Sequence, residues 1–336
     1  MAVLRPAVPL LLALALGWAP VLRAQEFDFM AGGMRTTSPV HSSYAYQVDY
    51  IQDFYRSAAG VLAGSVDWIN EGHVPDHHRD GTAVQLWLRL PFDQGRLVLA
   101  AGAGVYNYYD TQTAPAGVSL DVHGTAPIVS VAATRYWDNR LFVRGLVNQI
   151  SPAGQVKVTT AALGLGIWCG SGRRPGYLTD QPPDPADSYV TPWETTGCLG
   201  ESVVNTFHSE RAKAFAAELR HGLLPHVDAT LSYLNEGNPE IIRRNGTAAQ
   251  AWAVEHFFGQ RLSLGIGLGP YFYLDRKNPP AQGPGRPPDV ALLESLALGW
   301  CPAGTWFTRL TFNRVASNYN RDADIYLLGL GRRWGG

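Results

Sequence analysis

The sequence predicts an all-β chain that forms a transmembrane antiparallel β-barrel of about sixteen strands. Aromatic residues and glycine are abundant, with 10 Trp, 15 Tyr, 12 Phe and 36 Gly among 336 residues. Segments of about ten residues in which polar and apolar side chains alternate are separated by polar clusters, a pattern typical of membrane-spanning strands. The two halves of the chain also resemble each other. These three observations lead to the prediction.

Composition excludes several other classes of protein. The chain has 27 Lys and Arg against 28 Asp and Glu, so its formal net charge is −1, which argues against a nucleic-acid binder. Hydrophobic residues make up 46% of the chain, yet the mean hydropathy is only −0.09. Apolar residues must therefore alternate with polar ones, which excludes a bundle of membrane helices.

Residues 1–24 predict a secretory signal peptide. Arg5 supplies a positive charge, Val8 to Leu16 are almost wholly apolar, and Leu22-Arg23-Ala24 forms a plausible cleavage site before Gln25. We expect the mature chain to begin near Gln25.

The two halves of the chain align without a gap when position 70 is set against position 235. Asn70-Glu71-Gly72 recurs as Asn235-Glu236-Gly237, and the positions 70–110 and 235–275 share 18 identities in 41. Unrelated sequences would share roughly three. The chain is therefore predicted to consist of a first repeat at 25–168, a Pro-rich connecting segment at 169–198 and a second repeat at 199–336, whose first strand is expected at 199–206.

Two ways of closing the strands agree with this duplication. We favour a single sixteen-stranded barrel, since doubling keeps an even strand count and closes every edge. The alternative is two tandem eight-stranded barrels, which would account for the long Pro-rich segment between the repeats.

The lengths of the connections predict how the strands are oriented. Short turns such as Asp93-Gln94-Gly95 alternate with long polar connections such as 71–81, and in outer-membrane barrels short turns face the periplasm. This orientation gathers aromatic residues at both ends of the strands. Trp137, Trp168, Trp300, Trp306 and Trp334 are expected at the periplasmic rim, and Trp68, Tyr106, Tyr108, Tyr233, Tyr271 and Tyr273 at the outer rim.

Together with the terminal strand from Ile325 to Trp334, these features resemble bacterial outer-membrane β-barrel proteins as a class. The resemblance implies location in the outer membrane, contact with its lipid and lipopolysaccharide, and insertion by the barrel assembly machinery. A secreted β-sandwich would explain the alternation and the glycines, but it would not explain aromatic residues at both ends.

Polar residues on the opposite strand faces are expected to line the lumen. They form an interior salt-bridge network that sets the strand register or, alternatively, a selective pore. The candidates are Asp49, Asp53, Gln85, Arg89, Arg144, Asn148, Glu218 and Arg309.

The segment 70–81 is the densest polar cluster in the sequence. It holds His73, His77 and His78 beside Glu71, Asp76 and Asp80, so it could bind zinc or supply a general base. The second repeat has none of these histidines. Both repeats keep Asn-Glu-Gly and Arg-x-Gly-Thr, which would close a hairpin in which Glu and Arg pair across the stem.

Two further features bear on chemistry. Ser317-Asn318 resembles only the Ser-Asn half of the His-x-Ser-Asn motif of lipid A deacylases, because Val315 stands where the base should be. Cys169 and Cys198 could form a disulfide across the Pro-rich segment and leave Cys301 free, or all three could be reduced.

The sequence therefore favours a non-enzymatic envelope protein without a cofactor, acting as a pore or in a structural or surface-interaction role. The alternative is a lipid A-modifying hydrolase or a zinc-dependent surface site in the same barrel.

Overall fold

The computed structural model describes residues 24–57, 59–75, 77–113, 119–137, 139–168, 189–206, 208–239, 242–277, 289–302, 304–317 and 321–334. Sixteen strands and a 3-10 turn at Asp93–Gly95 account for the regular structure of these residues. The first eight strands are β1 (Ala24–Thr36), β2 (Ser42–Ser57), β3 (Gly60–Val74), β4 (His77–Phe92), β5 (Leu97–Thr113), β6 (Ser119–Tyr136), β7 (Leu141–Ile150) and β8 (Val158–Trp168). The other eight are β9 (Trp193–Val204), β10 (Arg211–Leu224), β11 (Val227–Asn235), β12 (Arg243–Phe257), β13 (Leu262–Lys277), β14 (Val290–Trp300), β15 (Trp306–Ala316) and β16 (Ala323–Trp334).

The strands form two closed barrels of eight strands each. In the first barrel, β1–β8, each strand pairs with the next, and β1 pairs with β8 from Glu26 opposite Trp168 to Thr36 opposite Val158. In the second barrel, β9–β16, β9 pairs with both β10 and β16. Each barrel is a compact unit of its own.

The all-β barrel fold and its sixteen strands are confirmed, and the closure follows the tandem alternative. The favoured single sixteen-stranded barrel is wrong, because the last strand of each set of eight pairs with the first strand of the same set. A closed barrel of eight strands already has no free sheet edge, and its lumen is narrow enough for side chains to fill. One barrel of sixteen strands is therefore not required for closure. The ninth strand begins at Trp193, ahead of its predicted start at 199.

Inward and outward side chains alternate along the strands. On β8, Leu163 and Leu165 are 65% and 68% exposed on the outside, whereas Gly166 and Trp168 are buried. On β16, Leu328 and Leu330 are exposed in the same way. An apolar outer surface of this kind is suited to lipid contact. Within the described ranges, no helix is long and apolar enough to cross a bilayer.

The aromatic residues are only partly where the sequence placed them. Trp137, Trp300, Trp306 and Trp334 are exposed at the strand ends that meet the short turns, together with Trp193. Trp168, Tyr106, Tyr108 and Tyr271 are instead buried, so they are not members of an outward-facing girdle. Their positions have the same parity as the inward-facing glycines of β8, β5 and β13, such as Gly166, Gly104 and Gly269. The exposed aromatic residues at the opposite end include Tyr44, Tyr46, Phe272 and Tyr326.

A tryptophan lying over a glycine fills the middle of each lumen. Trp87 lies over Gly102, where an added Cβ would be 2.7 Å from the indole ring. Trp252 lies over Gly267 in the same way, and a Cβ added there would be 2.4 Å from the ring. The indole N–H of Trp87 donates to Ser65 Oγ at 2.9 Å, and that of Trp252 donates to Thr230 Oγ1 at 2.9 Å. Glycine is required at both positions because any side chain would overlap the ring.

Candidate functional site

The Asn-Glu-Gly and Arg-x-Gly-Thr motifs close the β3–β4 hairpin. The side chain of Asn70 accepts a hydrogen bond from the N–H of Gly72, whose φ of +70° is in the left-handed region that suits glycine. This turn directs Glu71 inward, where its carboxylate accepts from Arg79 Nε at 2.9 Å and Nη2 at 2.7 Å. The β11–β12 hairpin repeats the arrangement with Asn235, Gly237 and the ion pair between Glu236 and Arg244 at 2.5 Å.

A cluster of buried ion pairs lies inside the first barrel near the N-terminal end of β1. Arg144 on β7 reaches across β8 to pair with Glu26 and Asp28 on β1, and its Nε donates to Thr134 at 3.0 Å. Arg89 on β4 donates to Glu26 at 2.7 Å and to Asp53 at 3.0 Å. The arrangement crosses the lumen and ties β1, which closes the barrel, to the strands opposite.

Three carboxylates lie side by side in the first barrel with too few cations to pair them. Asp28 on β1 is directly opposite Asp49 on β2, and Asp49 is directly opposite Asp67 on β3. All three are buried, and we call them the acidic row. Of the three, only Asp28 forms an ion pair, with Arg144, while Asp67 accepts from Ser65 and Gln85.

The second barrel has a different lumen at the equivalent positions. Thr196 is directly opposite Glu218, and Glu218 is directly opposite Ser232, so one carboxylate replaces three. This carboxylate accepts from Arg309 at 2.6 Å and from Arg220 at 3.2 Å. The other ion pairs of this cluster join Glu194 to Arg309 and Arg333, and Asp228 to Arg220. Within these clusters of described residues, Arg220, Arg309 and Arg333 face three carboxylates in the second barrel. Arg89 and Arg144 face five carboxylates in the first, the acidic row included.

Amide and hydroxyl side chains connect the remaining width of each lumen. In the first barrel the Ser130 hydroxyl lies 2.8 Å from Gln85 Oε1 and 2.7 Å from Asn148 Oδ1, and its one hydrogen can be donated to either oxygen. Asn148 donates to Gln47 at 2.8 Å. In the second barrel Gln250 donates to Ser295 at 2.9 Å, which donates to Asn313 at 2.6 Å. Polar groups that are buried in this way and bonded to one another hold the strands in register.

The predicted lumen residues all belong to these clusters. Asp49, Asp53, Gln85, Arg89, Arg144 and Asn148 lie inside the first barrel, and Glu218 and Arg309 lie inside the second. Glu26, Asp28 and Asp67 are buried in the same lumen but were not among the predicted candidates. Their positions along the strands indicate this, because residues two apart on a strand share a face. Asp67 is two residues from Ser65, and Asp28 is two residues from Glu26.

A cavity of about 220 Å³ lies at the β3–β4 end of the first barrel, and we call it the mouth cavity. Glu71, His77, Arg79 and Asp110 line its polar side, and Val74, Val156 and Val158 contribute apolar surface. His77 Nδ1 and the side-chain amide of Gln112 lie 2.9 and 2.8 Å from the same oxygen of Asp110, Oδ2. Two kinds of residue therefore line the mouth cavity. The Glu71–Arg79 ion pair has a counterpart in the second barrel, whereas His77 has none.

The predicted three-histidine zinc site is not assembled. His73 and His78 are opposite each other and stack with ring centroids 3.8 Å apart, while His77 pairs with Asp110 on the other face of β4. Adjacent residues of a strand point to opposite faces, so His77 and His78 cannot share an ion. Among the described residues, no group of three His, Cys, Asp or Glu side chains is placed to hold a metal.

The other residues of that segment are divided in the same way. Glu71 lines the mouth cavity, and Asp80 is buried on the opposite face of β4 from Arg79. Asp76 lies outside the described residues. Of the described residues of this cluster, Glu71 and His77 are the two that share a site.

Ser317 and the cysteines have structural surroundings. The hydroxyl of Ser317 donates to Asp322 at 3.0 Å and accepts from the N–H of Arg321, so it closes the β15–β16 connection. Of the described cysteines, Cys198 and Cys301 are both buried free thiols. Cys198 packs inside the second barrel, so it is not joined across the Pro-rich segment, and Cys169 lies outside the described residues.

One carboxylate with a shifted pKa lies in a turn. Arg135 donates to Asp93 at 2.7 Å in the turn between β4 and β5, and this hydrogen bond lowers the pKa of Asp93 below its usual value. The pair is exposed to solvent, so it contributes little to stability.

No protein-family model matches the chain, and no curated protein matches its sequence. Solved structures that match include the N-terminal β-barrel domain of Pseudomonas aeruginosa OprF, which is 13% identical. That match covers 44% of this chain and 99% of the OprF domain, with a TM-score of 0.34. The translocator domain of the autotransporter NalP from Neisseria meningitidis is 11% identical over 97% of this chain and 94% of that chain, with a TM-score of 0.20. The Acinetobacter baumannii outer membrane protein Omp33 is 9% identical over 93% of this chain and 99% of that chain, with a TM-score of 0.19.

Proposed function

We propose that this chain is an outer-membrane protein made of two closed barrels that do not conduct, with a structural or surface-interaction role in the envelope. The observation that carries the proposal is the filling of each lumen by buried, mutually bonded side chains. In the first barrel Arg144, Glu26 and Asn148 are at most 2% exposed, although they lie in the lumen. Eight strands enclose only enough space for such side chains, whereas pores need more strands.

The outer surface supports a membrane location. Leucines such as Leu165, Leu199 and Leu328 are exposed at alternate positions, and tryptophans are exposed at the ends next to the short turns. These are the surface properties of a barrel in lipid. The proposal includes the predicted signal peptide and contact with lipopolysaccharide at the ends that carry the long connections.

We further propose that the two barrels arose by duplication of one eight-stranded unit. The Glu–Arg hairpin pair, the Trp–Gly pair and the lumenal arginine all recur at matched positions of the ungapped alignment between the two halves. Each unit contains its own closing strand pair, so a duplication would produce two complete barrels without rearranging any hydrogen bond.

Fractionation tests the location. We expect the protein in the outer-membrane fraction, with a compact form that changes its mobility when the sample is boiled. Recovery of the mature chain as a soluble periplasmic protein would contradict the location.

Conductance across a planar bilayer tests the sealed lumen. We expect no discrete channel events from the purified protein under conditions in which a porin control conducts. Reproducible single-channel steps would overturn the sealed-barrel proposal in favour of a pore. The conductance of the unmodified protein is compared with that of a variant in which Arg144 and Phe142 are both replaced by Ala. This variant lacks two large lumenal side chains of the first barrel.

A further inference from the structure

We propose that the mouth cavity of the first barrel binds a small aliphatic primary ammonium ion. The proposal concerns a site beyond the sealed-barrel function, and binding there can be measured whether or not the barrel conducts. It depends on the unpartnered acceptors of the cavity, on its charge and on its apolar surface.

Two residues that line the mouth cavity each carry a buried side-chain oxygen with no hydrogen-bond partner. Asp110 is 1% exposed, and its Oδ1 is buried and unbonded although His77 and Gln112 both contact its Oδ2. The side-chain oxygen Oε1 of Gln155, in the connection between β7 and β8, is also buried and unbonded. Both residues line the cavity. A buried acceptor without a donor is costly, so a donor-bearing ligand would be stabilised there.

The charges of the cavity favour a cation. The guanidinium of Arg79 is already bonded to Glu71 through Nε and Nη2, and its Nη1 and Nη2 lie 3.4 Å from the carbonyl oxygen of Val156. Arg79 and Glu71 therefore neutralise each other and leave Asp110, which His77 contacts through Oδ2, as the remaining carboxylate. An ammonium group carries three donors and one positive charge, so it can serve both a carboxylate acceptor and an amide acceptor in one cavity.

The same residues are less suited to a metal ion. Calcium and magnesium need about six oxygen ligands, and the cavity offers one carboxylate oxygen and one amide oxygen that are not already bonded. The walls contributed by Val74, Val156 and Val158 are apolar and instead suit a hydrocarbon chain. A cavity of about 150 Å³ can hold benzene, so about 220 Å³ accommodates a short alkyl ammonium ion.

At the described positions matched to His77 and Asp110, the second barrel does not repeat the site, although it keeps the hairpin. Ile242 occupies the position of His77 and is buried, and Asp275 occupies the position of Asp110. Asp275 is paired with Arg243, and its side chain is 43% exposed, whereas Asp110 is buried. The second barrel therefore provides a matched control within the same molecule.

The test is calorimetric titration of the full chain in an uncharged detergent with n-butylammonium chloride, at constant ionic strength. We expect saturable binding by the unmodified protein and at least tenfold weaker binding by Asp110→Asn, because a charge-assisted hydrogen bond is lost. Asp275→Asn should leave the affinity within twofold. Gln155→Glu should tighten binding at least threefold, because it adds a second carboxylate at the cavity.

Four results would overturn the proposal. They are the absence of binding to the unmodified protein, equal affinity of Asp110→Asn and the unmodified protein, equal loss in Asp275→Asn, and equal binding of uncharged 1-butanol. The expected gain of affinity in Gln155→Glu cannot result from misfolding. Heat-modifiable mobility of each variant verifies that its barrels are closed.

Discussion

Replacing Arg144 by Met should strongly destabilise the first barrel. Arg144 pairs with Glu26 and Asp28, and its guanidinium carbon also lies 4.9 Å from the centre of the Phe142 ring. Glu26 would keep Arg89 as a partner, but Asp28 would lose its only ion-pair partner while remaining buried beside Asp49. Removing one partner of a buried pair generally costs about 3–5 kcal/mol. Because Glu26 stays paired, we expect a loss at the lower end, about 3 kcal/mol.

A second substitution isolates the orphaned carboxylate. Thr196 occupies in the second barrel the place that Asp28 occupies in the first, since they lie opposite Gly331 and Gly166. Adding Asp28→Thr to Arg144→Met removes the unpaired charge and should reduce the loss to about 1 kcal/mol, because the energetic penalty belongs to the orphaned charge rather than to the missing arginine.

The assay is urea unfolding of the full chain refolded in lipid vesicles, followed by tryptophan fluorescence and analysed as two transitions. Arg144→Met should shift only one transition, and the matched Arg309→Met should shift only the other. A loss below about 1 kcal/mol in Arg144→Met, or a double variant no more stable than the single one, would refute the reasoning.

Three further predictions concern the same barrels. Asp49→Asn should stabilise the first barrel by about 1 kcal/mol in the urea assay, because it relieves repulsion within the acidic row. The corresponding change Glu218→Gln should destabilise the second barrel, because it weakens the pairs with Arg220 and Arg309. Gly102→Ala should cost about 1–3 kcal/mol through its clash with the Trp87 ring, while Gly197→Ala, with no atom within 4 Å, should unfold at the same urea concentration as the unmodified chain. Because the hydrogen bond from Arg135 lowers the pKa of Asp93, its contribution is present above the unfolded pKa of about 4 and is lost as pH falls through the folded value. Because the pair is exposed, Asp93→Asn should flatten the decline in the urea midpoint below about pH 4 only slightly, and a steeper decline in the variant would contradict this assignment.

Many lumen-facing residues can be predicted from the sequence, because matched residues of the two repeats are separated by the same number of positions over most of their length. The ungapped alignment pairs Arg144 with Arg309 and Glu71 with Glu236, and the structure places each pair alike. Glu26 and Glu194 are also equivalent by register, because they lie opposite the matched positions 168 and 333. The ungapped alignment instead sets Glu26 against Thr191. Connections can change length without altering the strands they join, so an ungapped comparison loses the first strands of each barrel.

Strand closure and side-chain direction were harder to predict for different reasons. Strand number and alternation are the same for one barrel of sixteen strands and two of eight, and only the pairing of β1 with β8 distinguishes them. For Tyr106 the signal was present: it is two residues from Gly104, so both face the lumen. Aromatic residues near a strand end suggested a girdle, but parity decides the face.

The acidic row is not explained by stability alone. Its surroundings are much the same in both barrels, with Trp87, Gln85 and Ser130 matched by Trp252, Gln250 and Ser295. The second barrel fills that space with Thr, Glu and Ser and balances its charges, so a less repulsive solution fits the same fold. Residues that break a local rule without a compensating contact are expected where function requires them. The first barrel has surplus negative charge in its lumen and an unbonded carboxylate oxygen at its mouth, and both features favour a cation in that barrel rather than in the second.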